Sequence, residues 1–264
     1  MKKRLDILIT ERGLSESREK AKALIMSGVV YVNNEKQDKA GAEFDESVDI
    51  QISDSLKYVS RGGYKLEKTI DKYDLDLSGR ICADIGASTG GFTDCMLQNN
   101  ASKVYAVDVG YGQLAWSLRN DERVVCLERT NARYLNETII TDKLDFFSMD
   151  VSFISVRLIL PALYPLLNDH ANGVILIKPQ FEAGKGKVGK NGVVRDPEIH
   201  KEVLKEITDY LIANDYAVIG LDYSPIKGPK GNIEYLAFVE KSGISNPFDI
   251  NNLVAESHIE LNRE

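Results

Sequence analysis

Apolar residues along the chain keep two rhythms, and the change between them falls near residue 57. In the first stretch Leu5, Leu8 and Ile9 recur at helical spacing and Gly13 ends the pattern. Ser15 then precedes a second predicted helix over 16–26, whose apolar face is Ala21, Leu24 and Ile25 and which Gly28 closes. Residues 29–32 read as a strand, Asn33 and Asn34 as turn chemistry, and 48–52 as a later alternating strand. After a connector at 57–63 the pattern becomes a long alternation of helices and buried strands. Helices are predicted at 64–73, 91–99, 113–119 and 198–214, and strands at 80–85, 103–108, 124–127, 144–149 and 173–177. Strands at 216–221 and 235–239 follow one another without a helix, which predicts an antiparallel pair at one edge. The expected architecture is α/β, a Rossmann-like domain with a mostly parallel sheet covered on both faces, behind a small N-terminal α+β domain.

The chain has 264 residues, enough for one large domain and one small one. Its apolar runs are of strand length, so no membrane span is expected, and acidic residues soon after the basic start argue against an export signal. Cys82, Cys95 and Cys126 are odd in number and lack C-x-x-C spacing, which points to reduced thiols in a cytoplasmic protein without a disulfide framework or metal site. A formal charge of −7 disfavours nucleic acid for the chain as a whole. Up to Leu24, however, seven basic side chains stand against four acidic ones. Charge alone leaves that end open as a phosphate-binding face or a solvated helix face.

Candidate chemistry collects where the predicted strands end. Gly86, Gly90 and Gly91 lie just past the first strand of the second stretch, and Asp108 ends the next. A glycine turn alone is weak evidence, but with an acid at the following strand end it fits a nucleoside whose ribose hydroxyls donate to the carboxylate. The loop lacks the G-x-G-x-x-G order of dinucleotide sites and the chain has no P-loop G-K-[ST], which leaves S-adenosylmethionine. Asn131 and Arg133 could edge its adenine or merely cap a loop.

Four dispersed polar residues, Lys65, Asp150, Lys178 and Glu234, each sit at or just beyond a predicted element end. Each alone would be a surface ion pair; four around one sheet point to a site. A ribose hydroxyl is a weak acid, and a lysine near its ordinary pKa of about 10.4 cannot act as its base. Lys178 is expected to be that base, made less basic by partial burial and the Lys65 cation, while Asp150 and Glu234 orient the amines. Phe153 and Phe181 flank these residues, and either could stack on a target base or belong to the core.

The segments Arg4-Leu5-Asp6, Arg12-Gly13-Leu14, Ser17–Ala21, Leu24–Val30 and Val32–Asn34 resemble the S-four RNA-binding domain over roughly the first 55 residues. That resemblance implies RNA contact through Arg4, Arg18, Lys20 and Lys22, with Arg61 of the connector added as a further contact. The second stretch is similar to ribose methyltransferases of the FtsJ type. With its N-terminal module the chain resembles the TlyA family of ribosomal RNA 2′-O-methyltransferases. The carrying segments are 58–66, 84–94, 106–114, 129–133, 150–155, 177–182 and 231–235.

The family implies a Lys-Asp-Lys-Glu tetrad on Lys65, Asp150, Lys178 and Glu234 and a cytidine target. The cofactor set expected is Asp84, Gly86, Ala87, Ser88, Thr89, Gly90, Gly91, Phe92 and Asp108, with Asn131 and Arg133. The domain plan is 1–56 for RNA binding, 57–63 as linker, 64–245 for catalysis and 246–264 as a tail. Ribosomal RNA or ribosomal subunits are the expected partners of a monomer that binds neither metal nor membrane. Two other readings compete: a non-catalytic ribosome-assembly factor, against which the intact tetrad speaks, and a haemolysin, against which the lack of a spanning segment speaks.

Overall fold

Burial of apolar stripes divides the chain into two units, Met1–Arg61 and Gly62–Glu264, in the computed structural model. The structure describes residues 2–33, 35–52, 57–184, 186–189 and 191–261; Asn34 lies outside them.

In the first unit, strand β1 (Lys2–Arg4) runs directly into helix α1 (Leu5–Glu11), which buries Leu5, Leu8 and Ile9. Helix α2 (Arg18–Ser27) begins two residues later than the pattern predicted, because Ser17 rather than Ser15 caps it, its side chain accepting the Lys20 N–H. Gly28 closes it in the left-handed conformation at φ 74°, where glycine carries no Cβ penalty. Strand β2 (Val30–Val32) pairs antiparallel with β3 (Glu35–Gln37) and β5 (Ile50–Ile52), and β1 pairs with β4 (Glu43–Asp45). Strands β1, β3 and β4 escaped the sequence pattern: each is three residues long and mostly polar. Their residues are held by pairing rather than by an apolar face. Ala21, Ile25, Val30, Val32 and Ile50 complete this small core with the buried face of α1.

The second unit opens with helix α3 (Gly62–Tyr73). It continues with β6 (Ile81–Ile85), α4 (Gly91–Gln98), β7 (Lys103–Val107), α5 (Trp116–Arg119), β8 (Val124–Leu127) and β9 (Leu144–Met149). Then come α6 (Leu160–Leu163), β10 (Leu167–Ile177), α7 (Pro179–Glu182), α8 (Pro197–Ala213), β11 (Tyr216–Tyr223), β12 (Tyr235–Lys241) and α9 (Ile250–Leu261). The seven-stranded sheet has the order β11-β12-β10-β9-β6-β7-β8. Strands β6 to β10 are mutually parallel, and β12 runs antiparallel to both β10 and β11, so the expected antiparallel edge pair is present. Cys82 to Ile85 of β6 are all buried, the unbroken run of a strand covered on both faces.

Three expectations change. The helix predicted at 113–119 is a single turn from Trp116, because the N–H groups of Gln113 and Leu114 donate to Glu128 instead of starting a helix. Strand β10 starts six residues earlier than predicted, in a polar stretch that hides the strand pattern. The expected tail contains α9, which buries Leu253 and Val254 against the main core.

Candidate active site

Two halves of the site meet at one backbone contact between β6 and β9. The Asp150 N–H donates to the Ile85 carbonyl at 2.9 Å, continuing the β6–β9 pairing past its last residue. Gly86 follows at φ +87°, and a Cβ there would collide with the Asp150 carbonyl. Only glycine suits both the dihedral and the contact. The loop then folds toward β7, with the Gly86 and Ala87 N–H groups donating to Val107 O at 2.8 and 3.0 Å. Gly90, at φ +97°, starts α4 where a Cβ would collide with Leu114 and Leu118. Gly91 begins that helix, Ala87 and Phe92 are buried, and the Thr89 carbonyl accepts the Ala115 N–H at 3.1 Å.

Asp108 stands at the end of β7. Its Oδ2 accepts the Ser88 N–H at 2.8 Å and its Oδ1 the Gly110 N–H at 2.7 Å. Ser88 holds a left-handed φ of 48° to make that bond. The carboxylate is thus fixed in orientation while each oxygen keeps a lone pair, which fits a vicinal diol. Asp84 plays a different part from the one expected. It is 1 % exposed, and its oxygens accept Thr93 N–H, Thr93 Oγ1 and Ser148 Oγ at 2.7 to 3.0 Å. Burial pushes its pKa up to about 6 against the pull of those donors. It ties β6 to α4 and β9 and is spent inside the fold. Asn131 also has a capping role, its Oδ1 accepting the Arg133 N–H at 3.1 Å, while the Arg133 guanidinium lies 5.8 Å from the Tyr134 ring centroid.

The four dispersed residues come together. Lys65 projects from α3, Asp150 follows β9, Lys178 follows β10 and Glu234 precedes β12. Asp150 is shared: Lys178 Nζ lies 2.5 Å from its Oδ1 and Lys65 Nζ 3.5 Å from its Oδ2. The first is a close ion contact rather than an aligned hydrogen bond, since Oδ1 has no bond of good geometry. Lys65 also donates to Glu234 Oε2 at 2.7 Å, and Glu234 is fully buried. Burial works against the Lys65 charge, but Asp150 and Glu234 outweigh it and raise the pKa above the ordinary lysine value. Burial likewise opposes the Asp150 charge, and the two lysines overcome it to hold that pKa below the ordinary carboxylate value. Lys65 therefore stays a cation whose charge is taken up by two carboxylates, and Asp150 rather than Lys65 faces Lys178.

Three partners were not singled out from sequence. Lys178 Nζ donates to Ser152 Oγ at 3.1 Å, Gln180 Nε2 to Glu234 Oε1 at 3.3 Å, and Gly228 leaves no room for a Cβ beside the Glu234 carboxylate. Both polar partners lie two residues from a tetrad member, which was the available signal.

Phe153 is 91 % exposed at a left-handed φ of 64°, its ring 4.9 Å from that of Phe181, so it is not a core residue. In the first unit Arg4 and Arg18 both bond the buried Asp6, at 3.0 and 2.9 Å, and Lys20 pairs with Glu16. These three expected phosphate contacts thus have partners within the unit; Lys22 is half-buried and Arg61 exposed. Among the described residues no helix is long and apolar enough to cross a membrane, and no cluster of potential metal ligands occurs.

Comparison with known proteins identifies both stretches of the chain. The FtsJ-like methyltransferase family matches residues 58–241, and the S4 domain matches 3–50. A protein of Mycobacterium tuberculosis named 16S/23S rRNA (cytidine-2′-O)-methyltransferase TlyA is 43 % identical over 238 residues, covering 89 % of each chain. Hemolysin A of Brachyspira hyodysenteriae is 44 % identical over 89 % of this chain and 98 % of its own. A solved structure from Streptococcus thermophilus, its protein named as a hemolysin, shares 47 % identity and a TM-score of 0.80 over 99 % of this chain and 98 % of that one. The chain belongs to the FtsJ-like methyltransferase family, in the TlyA branch that sets an S4 domain ahead of the catalytic fold.

Proposed function

We propose that the protein transfers a methyl group from S-adenosylmethionine to the 2′-hydroxyl of a cytidine in ribosomal RNA, with Lys178 as the general base. The observation that carries this reading is the Asp150 carboxylate shared by two lysines, one backbone contact from the glycine loop. The loop and Asp108 fit the nucleoside: a close-approaching backbone at the β6 end and a doubly anchored carboxylate facing the next strand end. S-adenosylmethionine supplies a methyl group activated by its sulfonium, so the protein's own work is placement and proton removal.

Lys178 is placed for the second task. It emerges at the carboxyl end of β10 and already meets one hydroxyl, Ser152 Oγ. A ribose 2′-hydroxyl in the same reach would give its proton to the amine as its oxygen takes the methyl group. Asp150 fixes the amine, while Lys65 and Glu234 fix Asp150 and balance the charge of the buried cluster. The exposed, backbone-strained Phe153 offers a face on which a base drawn from its helical stack could rest. The cytidine and the ribosomal substrate follow from the names of the relatives, and RNA affinity from the S4 domain.

The test is direct. Ribose methylation would be mapped across ribosomal RNA from cells with and without the gene, then after restoring wild-type protein. A 2′-O-methylcytidine that disappears and returns supports the proposal. An unchanged ribose map, or a methyl group found on a base, would refute it.

A further inference from the structure

Two loops of the catalytic unit concentrate positive charge on a chain whose formal charge is −7. Residues 183–195 contain Lys185, Lys187, Lys190 and Arg195, residues 223–233 contain Lys227 and Lys230, and neither stretch has an acid. The fold joins these loops. The Asn232 side chain, 3 % exposed, donates to Gly192 O at 3.0 Å and accepts the Val194 N–H at 3.1 Å. Between them lies a cavity of about 300 Å³, lined by Arg195, Lys227, Lys230 and His258 over the buried side chains of Val193, Val194 and Ile233. Among the described residues no carboxylate lines it. Lys230 holds a left-handed backbone at φ 63°, which places its exposed side chain beside Gly192 on the facing loop. Glycine or asparagine would adopt that conformation with less strain, so a lysine there points to a use for its side chain.

The same loop reaches the tetrad. Gly228 packs against the Glu234 carboxylate, the Gly228 N–H donates to Asn232 O at 2.8 Å, and Ser224 N–H donates to Glu234 O at 2.8 Å. Ile233, in the cavity wall, immediately precedes Glu234. We propose that this cavity binds a backbone phosphodiester of the substrate RNA strand, so that the catalytic unit itself grips the nucleotides beside the one it methylates. The inference rests on reading the protein as an RNA methyltransferase. The chemistry is that of phosphate positioning: guanidinium and ammonium donors, a concave wall, and no base-reading acceptor. The apolar lining side chains are buried, which leaves none to anchor in a lipid layer.

The test uses the full chain and a labelled ribosomal RNA fragment that the wild-type protein methylates. Affinity is measured by fluorescence anisotropy over a salt series for wild type, for Arg195→Gln/Lys227→Gln/Lys230→Gln, and for Lys205→Gln, a charge control on the exposed face of α8. The triple variant should bind about tenfold more weakly or worse, and its salt slope should fall by about two to three counterions. It should weaken target and unrelated fragments alike, since phosphate contacts carry no sequence information. Its melting temperature and its affinity for S-adenosylmethionine should stay at wild-type values, as should RNA binding by Lys205→Gln. Unchanged affinity and slope in the triple variant, with wild-type methylation intact, would overturn the phosphate site and leave the methyltransferase reading standing. Retained RNA affinity with lost adsorption to anionic phospholipid vesicles would overturn it in favour of a membrane surface. If the wild-type protein methylates no ribosomal RNA, the underlying reading fails and this assignment falls with it.

Discussion

Replacing Lys65 with methionine keeps most of its packed stem and removes its charge, and the cost can be worked from the contacts. Glu234 is fully buried, and among the described residues its side-chain ion pair with Lys65 at 2.7 Å is backed by the longer Gln180 contact at 3.3 Å. Leaving one partner of a buried pair without its counter-charge costs about 3–5 kcal/mol. Protonation sets a ceiling. Neutralising a glutamate of ordinary pKa near 4.3 at pH 7 costs roughly 4 kcal/mol, and at pH 5 only about 1 kcal/mol. Lys65→Met should therefore destabilise the catalytic unit by about 3–4 kcal/mol at pH 7 and by about 1 kcal/mol at pH 5. Adding Glu234→Gln removes both charges and should recover about 2 kcal/mol at pH 7. Urea denaturation of the single and double variants at both pH values measures this. Turnover supplies a second readout: with Lys65 gone nothing shares the Asp150 charge beside Lys178, so kcat should fall. Additive costs for the two substitutions, or a Lys65→Met cost that ignores pH, would refute the charge pairing as the reason for the loss.

Asp108→Ala should weaken S-adenosylmethionine binding by about 1–3 kcal/mol, the cost of leaving its hydrogen-bond partners unpaired; full affinity by calorimetry would move the cofactor elsewhere. Phe153→Ala should change stability by no more than about 0.5 kcal/mol, since the ring is 91 % exposed, yet lose about 1–3 kcal/mol of transition-state stabilisation on RNA. A variant with unaltered kcat/KM would exclude stacking. In the S4 unit, hydrogen bonds from Arg4, with those of Arg18, outweigh burial and hold the Asp6 carboxyl at about 2, below the ordinary 3.8. A depressed carboxyl stabilises the fold above its unfolded value, and that support, about 2 kcal/mol, is lost as pH falls through about 2. Hydrogen exchange in α1 and α2 of the intact protein should show this acid sensitivity, and Asp6→Asn should abolish it; equal sensitivity in both would contradict the pairing.

The catalytic fold was legible because its strands are buried on both faces, so that 104–107 and 174–177 read as unbroken apolar runs. Half of the tetrad was legible for a related reason: Asp150 and Lys178 lie just past the ends of the parallel strands β9 and β10, where side chains converge however far apart they lie in sequence. Lys65 and Glu234 meet across 169 positions. Where polar residues make contacts inside the fold, the pattern misleads. The bonds that Arg4 and Arg18 make to Asp6 are hidden in the sequence, because Asp6 has no local signature of burial. Asp84 looks like a cofactor ligand until Thr93 and Ser148 use its oxygens. Helix α9 has its signal in the spacing of Ile250, Leu253, Val254 and Leu261, which a tail would not need. Ser152 and Gln180 have no signature beyond their nearness to tetrad residues.

The central claim is that Lys178 takes the proton from the ribose hydroxyl. Single-turnover transfer from radiolabelled S-adenosylmethionine to a ribosomal RNA fragment, comparing wild type with Lys178→Ala across pH, tests it most directly. The variant should bind cofactor and RNA with wild-type affinity and transfer no detectable methyl group at any pH. Substantial single-turnover transfer by Lys178→Ala would contradict the assignment and move the proton's destination to another group.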